Sequence, residues 1–270
     1  MKCRICATEL GNPHFSGVIL NKKVSYFDCV KCGYVQTENP YWLAEAYTSS
    51  INSCDTGIIA RNISNANIAL STLAVLGKRK GCVVDFAGGY GFLTRMLRDQ
   101  GIDAYWTDPH SENLVAKGFE FYGQNADLVT AFEAFEHFVE PRETLTNIFE
   151  ISPNLLLSTL IIPSPAPSPA NWWYYGPEHG QHIGFFRIKT FNYLASCHNK
   201  HFISNGVSLH LFSNIKISNI QWRTIQKVAQ YFPFLVRRGL RSKTCSDYLQ
   251  IISQKIWTWE IDESKDNLQK

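Results

Sequence analysis

Four cysteines near the start of the sequence have the spacing of a metal site. Cys3 and Cys6 form one Cys-x-x-Cys pair, Cys29 and Cys32 form a second, and 22 residues separate the pairs. A gap of two residues lets both thiolates of a pair face one ion, and two such pairs complete the tetrahedral shell that Zn²⁺ prefers. Disulfides are the alternative, which a reducing cytosol disfavours. Because cysteine fills all four positions, none is left for water, and we expect a structural zinc.

A glycine-rich loop lies between a predicted strand and a predicted helix and has the sequence Asp85-Phe86-Ala87-Gly88-Gly89-Tyr90-Gly91. Glycines let a ligand approach the backbone, and the first turn of the helix offers free N–H groups. A dinucleotide-binding fold would use G-x-G-x-x-G, but Thr94 stands where the third glycine would be. A nicotinamide cofactor is therefore disfavoured. The candidate cofactor-binding residues of this loop are Asp85, Ala87, Gly88, Gly89 and Gly91.

Asp108 ends the next predicted strand, 23 residues after Asp85. A carboxylate at that position can accept hydrogen bonds from both hydroxyls of a ribose. An aspartate at a strand end is common by itself, and only the glycine loop at this spacing makes the assignment persuasive. We also expect Ala131 and Phe132, at the end of the following strand, to line the cofactor site.

Glu136 and His137 follow that strand, where the carboxyl edge of the sheet would place them beside a ligand. They are candidate catalytic residues. The alternative is that Glu136 has a structural role, as a cap or an ion-pair partner.

A proline-rich loop leads into four adjacent aromatic residues, Trp172, Trp173, Tyr174 and Tyr175. Outside a helix or strand period, four such side chains cannot all be core, and aromatic faces pack well on the C–H faces of sugars. We therefore predict a carbohydrate platform, with Gln181 as a further substrate contact; a lid that packs on itself is the alternative. His182, in the same tract, is the candidate base, because an unperturbed imidazole titrates near pH ~6.5.

The elements that must position these residues alternate between strand and helix from residue 82 onward. Such alternation predicts a Rossmann-like α/β fold, a mostly parallel sheet with helices on both faces. We expect a zinc-binding knob over residues 1–36, a connector and leading helix over 37–80, the Rossmann-like domain over 81–215, and a basic, helical tail over 216–270.

The stretch from Asp85 to Gly91 resembles motif I of the class I methyltransferases, with Ala87 in place of the first glycine. In that family the loop lies against the amino-acid part of S-adenosylmethionine. Three further stretches resemble a bacterial subgroup that couples a zinc-binding N-terminus to a methyltransferase domain and methylates sugars, either as nucleotide conjugates or in surface polysaccharides. They are Asp55-Thr56-Gly57 with Arg61-Asn62, Trp172–Ile183, and Leu209–Ser213.

The resemblance covers about residues 1–215 and implies methyl transfer from S-adenosylmethionine, more specifically than it implies an acceptor. We expect a hydroxyl of a sugar or surface glycan as acceptor, His182 as base, and His137 or Glu136 orienting either that base or the acceptor. Transfer to a sugar carbon is the nearest alternative. Two alternatives from other classes are a nicotinamide-dependent oxidoreductase and a non-catalytic zinc-ribbon adaptor on a methyltransferase-like fold.

Composition sets further bounds. The net charge of +3 is too small to imply nucleic acid as a partner, and no apolar run reaches the roughly 18 residues of a membrane span. Six basic residues and no acid lie between Gln221 and Ser246. This stretch is either a solvated helix face or a contact for anionic lipid or phosphate. Since the N-terminus lacks the apolar core of a signal peptide, we expect a cytoplasmic protein.

Overall fold

The computed structural model describes residues 1–48 and 55–253. The strands are β1 (Phe15–Ile19), β2 (Lys22–Asp28), β3 (Val35–Thr37), β4 (Cys82–Phe86), β5 (Asp103–Thr107), β6 (Leu128–Phe132), β7 (Leu155–Ser158), β8 (Gly184–Phe185), β9 (His201–Ser204) and β10 (Leu209–Ser213). The α-helices are α1 (Leu43–Ala46), α2 (Ile58–Val75), α3 (Phe92–Asp99), α4 (Pro141–Ile151), α5 (Ile188–Cys197), α6 (Asn219–Tyr231) and α7 (Pro233–Arg237), and residues 244–253 are also helical.

The larger sheet has the strand order β5-β4-β6-β7-β10-β9. β4 pairs in parallel with β5 on one side and with β6 on the other, and β6 pairs in parallel with β7. β10 runs antiparallel to both of its neighbours, β7 and β9. The chain therefore leaves β4 toward one side and later crosses to the other. In an open α/β sheet, ligands bind at the carboxyl ends of the strands beside such a reversal.

Neighbouring residues of β4 pack into different cores. Val83 belongs to a core with Leu70 of α2 and Leu97 of α3, whereas Val84 belongs to a core that includes Leu145 of α4. Because successive side chains of a strand point to opposite faces, helices must cover both faces of this sheet. The predicted α/β class, a Rossmann-like sheet with helices on both faces, is confirmed.

The smaller sheet is antiparallel throughout, in the order β1-β2-β3-β8. Its last strand, β8, directly follows the aromatic tract. Two contacts reinforce this joint: the Thr37 amide donates to the Ile183 carbonyl at 3.0 Å, and the Arg187 guanidinium forms two 2.7 Å bonds with the carboxylate of Asp28. The N-terminal region therefore holds the backbone on which His182 lies.

One detail differs from the sequence-based expectation. The predicted boundary of the knob at residue 36 falls inside β3, because that strand pairs both with β2 and with the distant β8. Residues 254–270, the end of the predicted tail, lie outside the described residues. No helix in residues 1–48 or 55–253 is long and apolar enough to cross a membrane.

Candidate active site

The glycine loop turns sharply between β4 and α3. Ala87, Gly89 and Gly91 all have positive φ, at 56°, 55° and 87°. For alanine this region costs about 1–2 kcal/mol, so Ala87 keeps the loop shape at some strain. A β-carbon on Gly88 would lie 2.7 Å from Trp106 Cδ1. Gly91, the N-cap residue of α3, has no side chain to cap the helix, so first-turn amides of α3 can face an anionic ligand.

Asp85 supports this loop from the core. Its side chain is 3% exposed and accepts hydrogen bonds from the hydroxyls of Thr130 at 3.0 Å and Thr94 at 3.3 Å. Burial raises the pKa of Asp85 to about 7, although both hydroxyls oppose the shift. Thr94, which replaces the third glycine of a dinucleotide motif, is thus a partner of this carboxyl group. The direct cofactor contact expected of Asp85 is corrected to a supporting position.

Asp108 closes the turn after β5 and reaches the glycine loop. One of its oxygens accepts from the Gly89 amide at 2.9 Å, and the other accepts from the amides of His110 at 2.7 Å and Ser111 at 2.9 Å. The carboxylate therefore lies at the edge of the loop, where the sequence predicts it. Its lone pairs beyond these bonds remain able to accept from a ligand.

The end of β6 gives a mixed result. Ala131 is fully buried in the core, so its side chain does not line an open site as expected, while Phe132 is half-buried. The next residue, Glu133, was not singled out from the sequence. It is exposed, has φ of 50°, and its carboxylate accepts hydrogen bonds from Ser158 Oγ at 2.5 Å and from the Tyr174 hydroxyl at 3.3 Å. Nothing in the local sequence signals this turn.

Glu136 is completely buried beside that tyrosine. Its Oε1 lies 2.5 Å from the Tyr174 hydroxyl, and its Oε2 has no hydrogen-bond partner among the described residues. Burial, followed by the nearby Glu133 charge, raises the pKa of Glu136 to about 8. Burial therefore favours the neutral carboxylic acid of Glu136 over its carboxylate.

His182 has a defined tautomer. Its Nδ1 lies 2.6 Å from the carbonyl oxygen of Tyr174. Because a carbonyl only accepts, Nδ1 carries the proton and Nε2 holds the lone pair of the neutral ring. Burial lowers the pKa of His182 to about 4, against the hydrogen bond that Nδ1 donates to the Tyr174 carbonyl, which raises it. This corrects the titration expected near pH ~6.5: the ring is neutral at pH 7, with Nε2 able to accept a proton.

The three predicted catalytic residues, Glu136, His137 and His182, lie together. The His137 ring lies 4.9 Å from that of His182, edge to face, and His179 lies 4.7 Å from it on another side. One ligand atom each of Glu136, His137 and His182 lie within 4.8 Å of one another. Burial and the neighbouring imidazoles hold the pKa of His137 well below its usual range. Both imidazoles are thus neutral at pH 7, and together with Glu136 they have the donor composition of a metal site as well as of an acid–base site.

Tyr47 links this histidine cluster to the turn beside the glycine loop. Its ring stacks on His110 with centroids 4.5 Å apart, and its hydroxyl lies 3.2 Å from Nδ1 of His137. His110 belongs to the turn that Asp108 closes. A continuous path of contacts therefore runs from the glycine loop to the predicted base. Tyr47 carries no signal in the sequence, since it lies in a connector without a recognisable motif.

The aromatic tract is only partly a platform. Trp173 is 75% exposed, but Tyr175 is fully buried and donates its hydroxyl to the Pro167 carbonyl at 2.8 Å. Trp172 packs edge-on against Tyr175, and Tyr174 carries the contacts to Glu136 and His182. The predicted stacking surface is corrected to Trp173, because the other three rings face the protein.

Gln181 was expected to contact substrate. It is 5% exposed, and its side-chain amide donates to the Ala46 carbonyl at 2.9 Å. This bond ties the loop of His182 to the end of α1, so Gln181 positions the loop.

The four predicted metal ligands converge at one point. The Sγ atoms of Cys3 and Cys32 are 3.5 Å apart, as are those of Cys6 and Cys29, and all four lie within 4.8 Å of one another. A tetrahedral zinc with bonds of about 2.3 Å separates its sulfurs by about 3.8 Å. The thiols are buried and unbridged. Donor type, number and spacing therefore fit a closed zinc site.

The sequence matches the model of a known protein family. A family model described as a methyltransferase domain matches residues 59–198, which is 140 of the 270 residues. The chain belongs to this methyltransferase family. The match begins in α2 and ends just after α5, so it includes the glycine loop, Glu136, His137 and His182. The predicted enzyme class, a methyltransferase, is confirmed.

Comparisons with individual proteins assign nothing further to this chain. No curated protein sequence matches the methyltransferase. Among solved structures, it is similar to the 1,6-didemethyltoxoflavin N1-methyltransferase of Burkholderia thailandensis bound to S-adenosylhomocysteine, with 15% identity, coverage of 75% of this chain and 97% of that one, and a TM-score of 0.45. It is also similar to the magnesium protoporphyrin IX methyltransferase of Synechocystis PCC 6803 with S-adenosylhomocysteine, with 16% identity, coverage of 63% and 92%, and a TM-score of 0.44. At such identities neither structure identifies the acceptor.

Proposed function

We propose that this methyltransferase moves a methyl group from S-adenosylmethionine to a hydroxyl of a sugar or surface glycan. The observation that carries the proposal is the contact path from the glycine loop through Tyr47 to His182. It brings a site suited to the donor next to a neutral imidazole with a free lone pair.

The loop fits S-adenosylmethionine on three counts. It has no β-carbon at Gly88, Gly89 or Gly91, which allows close approach to its backbone. The open amides of α3 suit the carboxylate of an amino acid. Asp108, at the carboxyl end of the neighbouring strand, has the chemistry to bind ribose hydroxyls. When bound, the cofactor supplies an electrophilic methyl group.

Proton removal is assigned to His182. As the acceptor oxygen attacks, its proton passes to Nε2, and the positive charge that forms on the ring is stabilised by the Nδ1 hydrogen bond to the Tyr174 carbonyl. His137 lies edge-on to this ring and restricts where it can turn. Since the ring of His182 becomes protonated only in acid, its Nε2 lone pair stays available throughout the neutral range. Much of the remaining acceleration should come from alignment of the acceptor with the methyl group.

The acceptor class rests on Trp173 and on the resemblance of the tract. Trp173 presents a broad, exposed indole that contacts Tyr174, whose ring in turn contacts His182. Such an indole suits the C–H face of a sugar ring, while Glu133 offers a carboxylate to its hydroxyls. Transfer to a sugar carbon would use the same lone pair to remove a carbon-bound proton, and it remains the second candidate.

We also propose that the four cysteines hold one structural zinc. Their buried, closed sulfur shell leaves no position for a substrate. In this proposal the ion fixes the small sheet, and through β8 it fixes the backbone next to His182.

The decisive experiment uses S-adenosylmethionine labelled in its methyl group. Purified protein is incubated with a panel of nucleotide sugars and surface glycans, and products are read by mass spectrometry and NMR to separate O-methyl from C-methyl. We expect labelled O-methyl sugar that the His182→Ala variant does not form. Absence of cofactor binding in calorimetry would overturn the donor, whereas binding with transfer only to non-carbohydrate acceptors would overturn the acceptor class.

A further inference from the structure

The corner between α6 and α7 exposes an unusual run of apolar side chains. Tyr231, Phe232, Phe234 and Leu235 are 62%, 49%, 63% and 49% exposed. The rings of Phe232 and its two aromatic neighbours lie 6.4 Å apart, so they form one continuous surface. Contiguous exposed apolar groups on a soluble domain mark an interaction site more often than isolated ones do. We name these four residues the apolar corner.

This corner is held rigidly. Val236, directly after it, is buried in the core beneath α2 and α6. The Arg79 guanidinium donates to the carbonyls of Leu235 and Val236 at 3.3 Å, and Arg237 donates to Asn67 of α2 at 2.6 Å. Because the backbone is fixed in this way, the apolar side chains stand outward as part of the fold.

Free positive charges flank the apolar corner along the chain. No Asp or Glu occurs between Glu178 and Asp247. Arg223, Lys227, Arg238 and Arg241 are exposed and form no ion pair within the described residues. Lys243 differs, since it pairs with Asp103 at 2.9 Å. The surface therefore combines apolar groups with unneutralised cations.

We propose that the apolar corner and its flanking cations dock the enzyme on an anionic membrane surface. Aromatic and aliphatic side chains would enter the headgroup boundary, and the arginines and lysine would lie on lipid phosphates. Charge complementarity selects this occupant. A nucleic acid would use the same cations, but it would leave Phe234 and Leu235 without an apolar partner.

The position of this surface determines the orientation of the docked enzyme. Arg79 precedes β4 and contacts α7, whereas the glycine loop follows β4, so docking surface and cofactor site lie at opposite ends of the sheet. Five strand residues alone separate them by about 17 Å. A docked molecule thus presents its cofactor site to the aqueous phase, where a water-soluble acceptor reaches it. This inference does not depend on the identity of that acceptor.

The test is co-sedimentation of the full chain with vesicles. We compare phosphatidylcholine alone with phosphatidylcholine that contains about one third phosphatidylglycerol. We expect binding only to the anionic vesicles, weakened as salt rises from about 0.05 M to about 0.5 M. Replacing both Phe234→Ser and Leu235→Ser, or both Arg238→Gln and Arg241→Gln, should lower the bound fraction by roughly tenfold or more.

Matched controls isolate the surface. Tyr122→Ser removes a ring that is even more exposed, at 83%, and Arg142→Gln removes an exposed charge elsewhere; both should bind vesicles like the parent. Because the replaced side chains are exposed, thermal unfolding and S-adenosylmethionine affinity should stay at parental values. The proposal is overturned if the parent ignores anionic vesicles, if the corner variants bind them equally, or if the corner variants instead lose binding to DNA or a concentration-dependent dimer.

Discussion

The glycine loop and the histidine cluster stand at the same edge of the sheet, but the chain builds them differently. The loop is one continuous segment, Asp85–Gly91, between a buried strand and a helix. The cluster draws His137 from the segment after β6, His182 from the segment before β8, and Tyr47 from the end of α1. Local sequence specifies the first, whereas the second exists only once the small sheet is docked. Damage to the loop should therefore appear in cofactor affinity, and damage to the cluster in turnover.

The largest effect is expected from His182→Ala. Loss of the proton acceptor should lower turnover by roughly 10²–10⁴-fold while leaving the affinity for S-adenosylmethionine nearly unchanged. Steady-state kinetics and calorimetry measure the two quantities separately. Since the proposed base has a pKa of about 4, the parent's rate should be flat between pH 5 and 8 with respect to this group and should fall only in stronger acid.

Two outcomes would change the role assigned to His182 or the pKa expected for it. If His182→Ala keeps its turnover and His137→Ala loses it, the base is the Glu136–His137 pair. If the parent shows a rate increase centred near pH ~6.5 that the variant lacks, then the ring of His182 is more hydrated in solution than its burial here implies.

The loop is tested by Gly89→Val and Asp108→Ala. The valine would put a branched side chain where the cofactor approaches the backbone. The alanine would remove an acceptor for ribose and also release the Gly89, His110 and Ser111 amides. With hydrogen bonds to a charged group worth about 1.5–3 kcal/mol each, affinity should fall by roughly tenfold to several hundredfold.

Calorimetric titration gives those affinities, and Gly11→Val, at a glycine with open space around it, is the matched control. If both Gly89→Val and Asp108→Ala bind S-adenosylmethionine with parental affinity, the glycine loop is not part of the cofactor site. A fall in turnover at saturating cofactor, with affinity intact, would erase the distinction between loop and cluster.

The distant cysteines provide a test of the cluster's dependence on the small sheet. We expect one zinc per chain by elemental analysis, lost in Cys6→Ser and retained in Cys197→Ser, which alters an exposed thiol. Loss of zinc in Cys6→Ser should displace β8 and His182. Turnover should then fall by roughly tenfold or more, with little change in cofactor affinity. Protein without zinc as isolated would refute the metal, and a parallel fall in cofactor affinity would show that the loop depends on the knob as well.

Sequence patterns predicted the continuous features well. The glycine loop, Asp108, the alternating elements and the convergence of Cys3, Cys6, Cys29 and Cys32 follow from spacing within short segments. What the sequence could not predict depends on long-range pairing. β3 pairs with β8, nearly 150 residues later, and this decides which of the aromatic residues are buried. Hence Tyr175 and Gln181, expected on the substrate side, are structural, and Tyr47 and Glu133 were missed.

A smaller effect, on the pH dependence of stability, is expected from the buried carboxyl group of each region. Asp85 has two hydroxyl donors and a pKa of about 7, whereas Glu136 has one short bond and a pKa of about 8. In the unfolded chain both carboxyl groups ionise near pH 4. In the folded protein they stay protonated until the pH approaches their raised pKa values. Stability from these groups is therefore present below pH 4 and is lost as pH rises through their folded pKa values. The cost is at most about 1.4 kcal/mol per pH unit and per group.

Glu136→Gln and Asp85→Asn should each flatten the fall in melting temperature between pH 5 and 8, the glutamine more than the asparagine. Thermal unfolding at several pH values measures this, with the exposed Glu140→Gln as control. A slope unchanged in both variants would mean that these carboxyl groups ionise in the folded protein as they do in water.

The smallest effect is expected at Trp173, the exposed ring of the tract. A stacking platform holds ground state and transition state alike, so Trp173→Ala should raise the acceptor's KM several-fold, by about 1 kcal/mol, and leave kcat and cofactor affinity near the parental values. Tyr175→Ala, two residues away, removes a buried ring and should instead lower stability by about 3–5 kcal/mol. Tyr122→Ala controls for loss of any exposed ring. If Trp173→Ala lowers kcat with KM unchanged, the indole acts in the transition state, and the tract belongs with the histidine cluster rather than with substrate binding. If it changes neither constant, the acceptor reaches His182 along the side of Glu133, and that carboxylate becomes the first residue to replace.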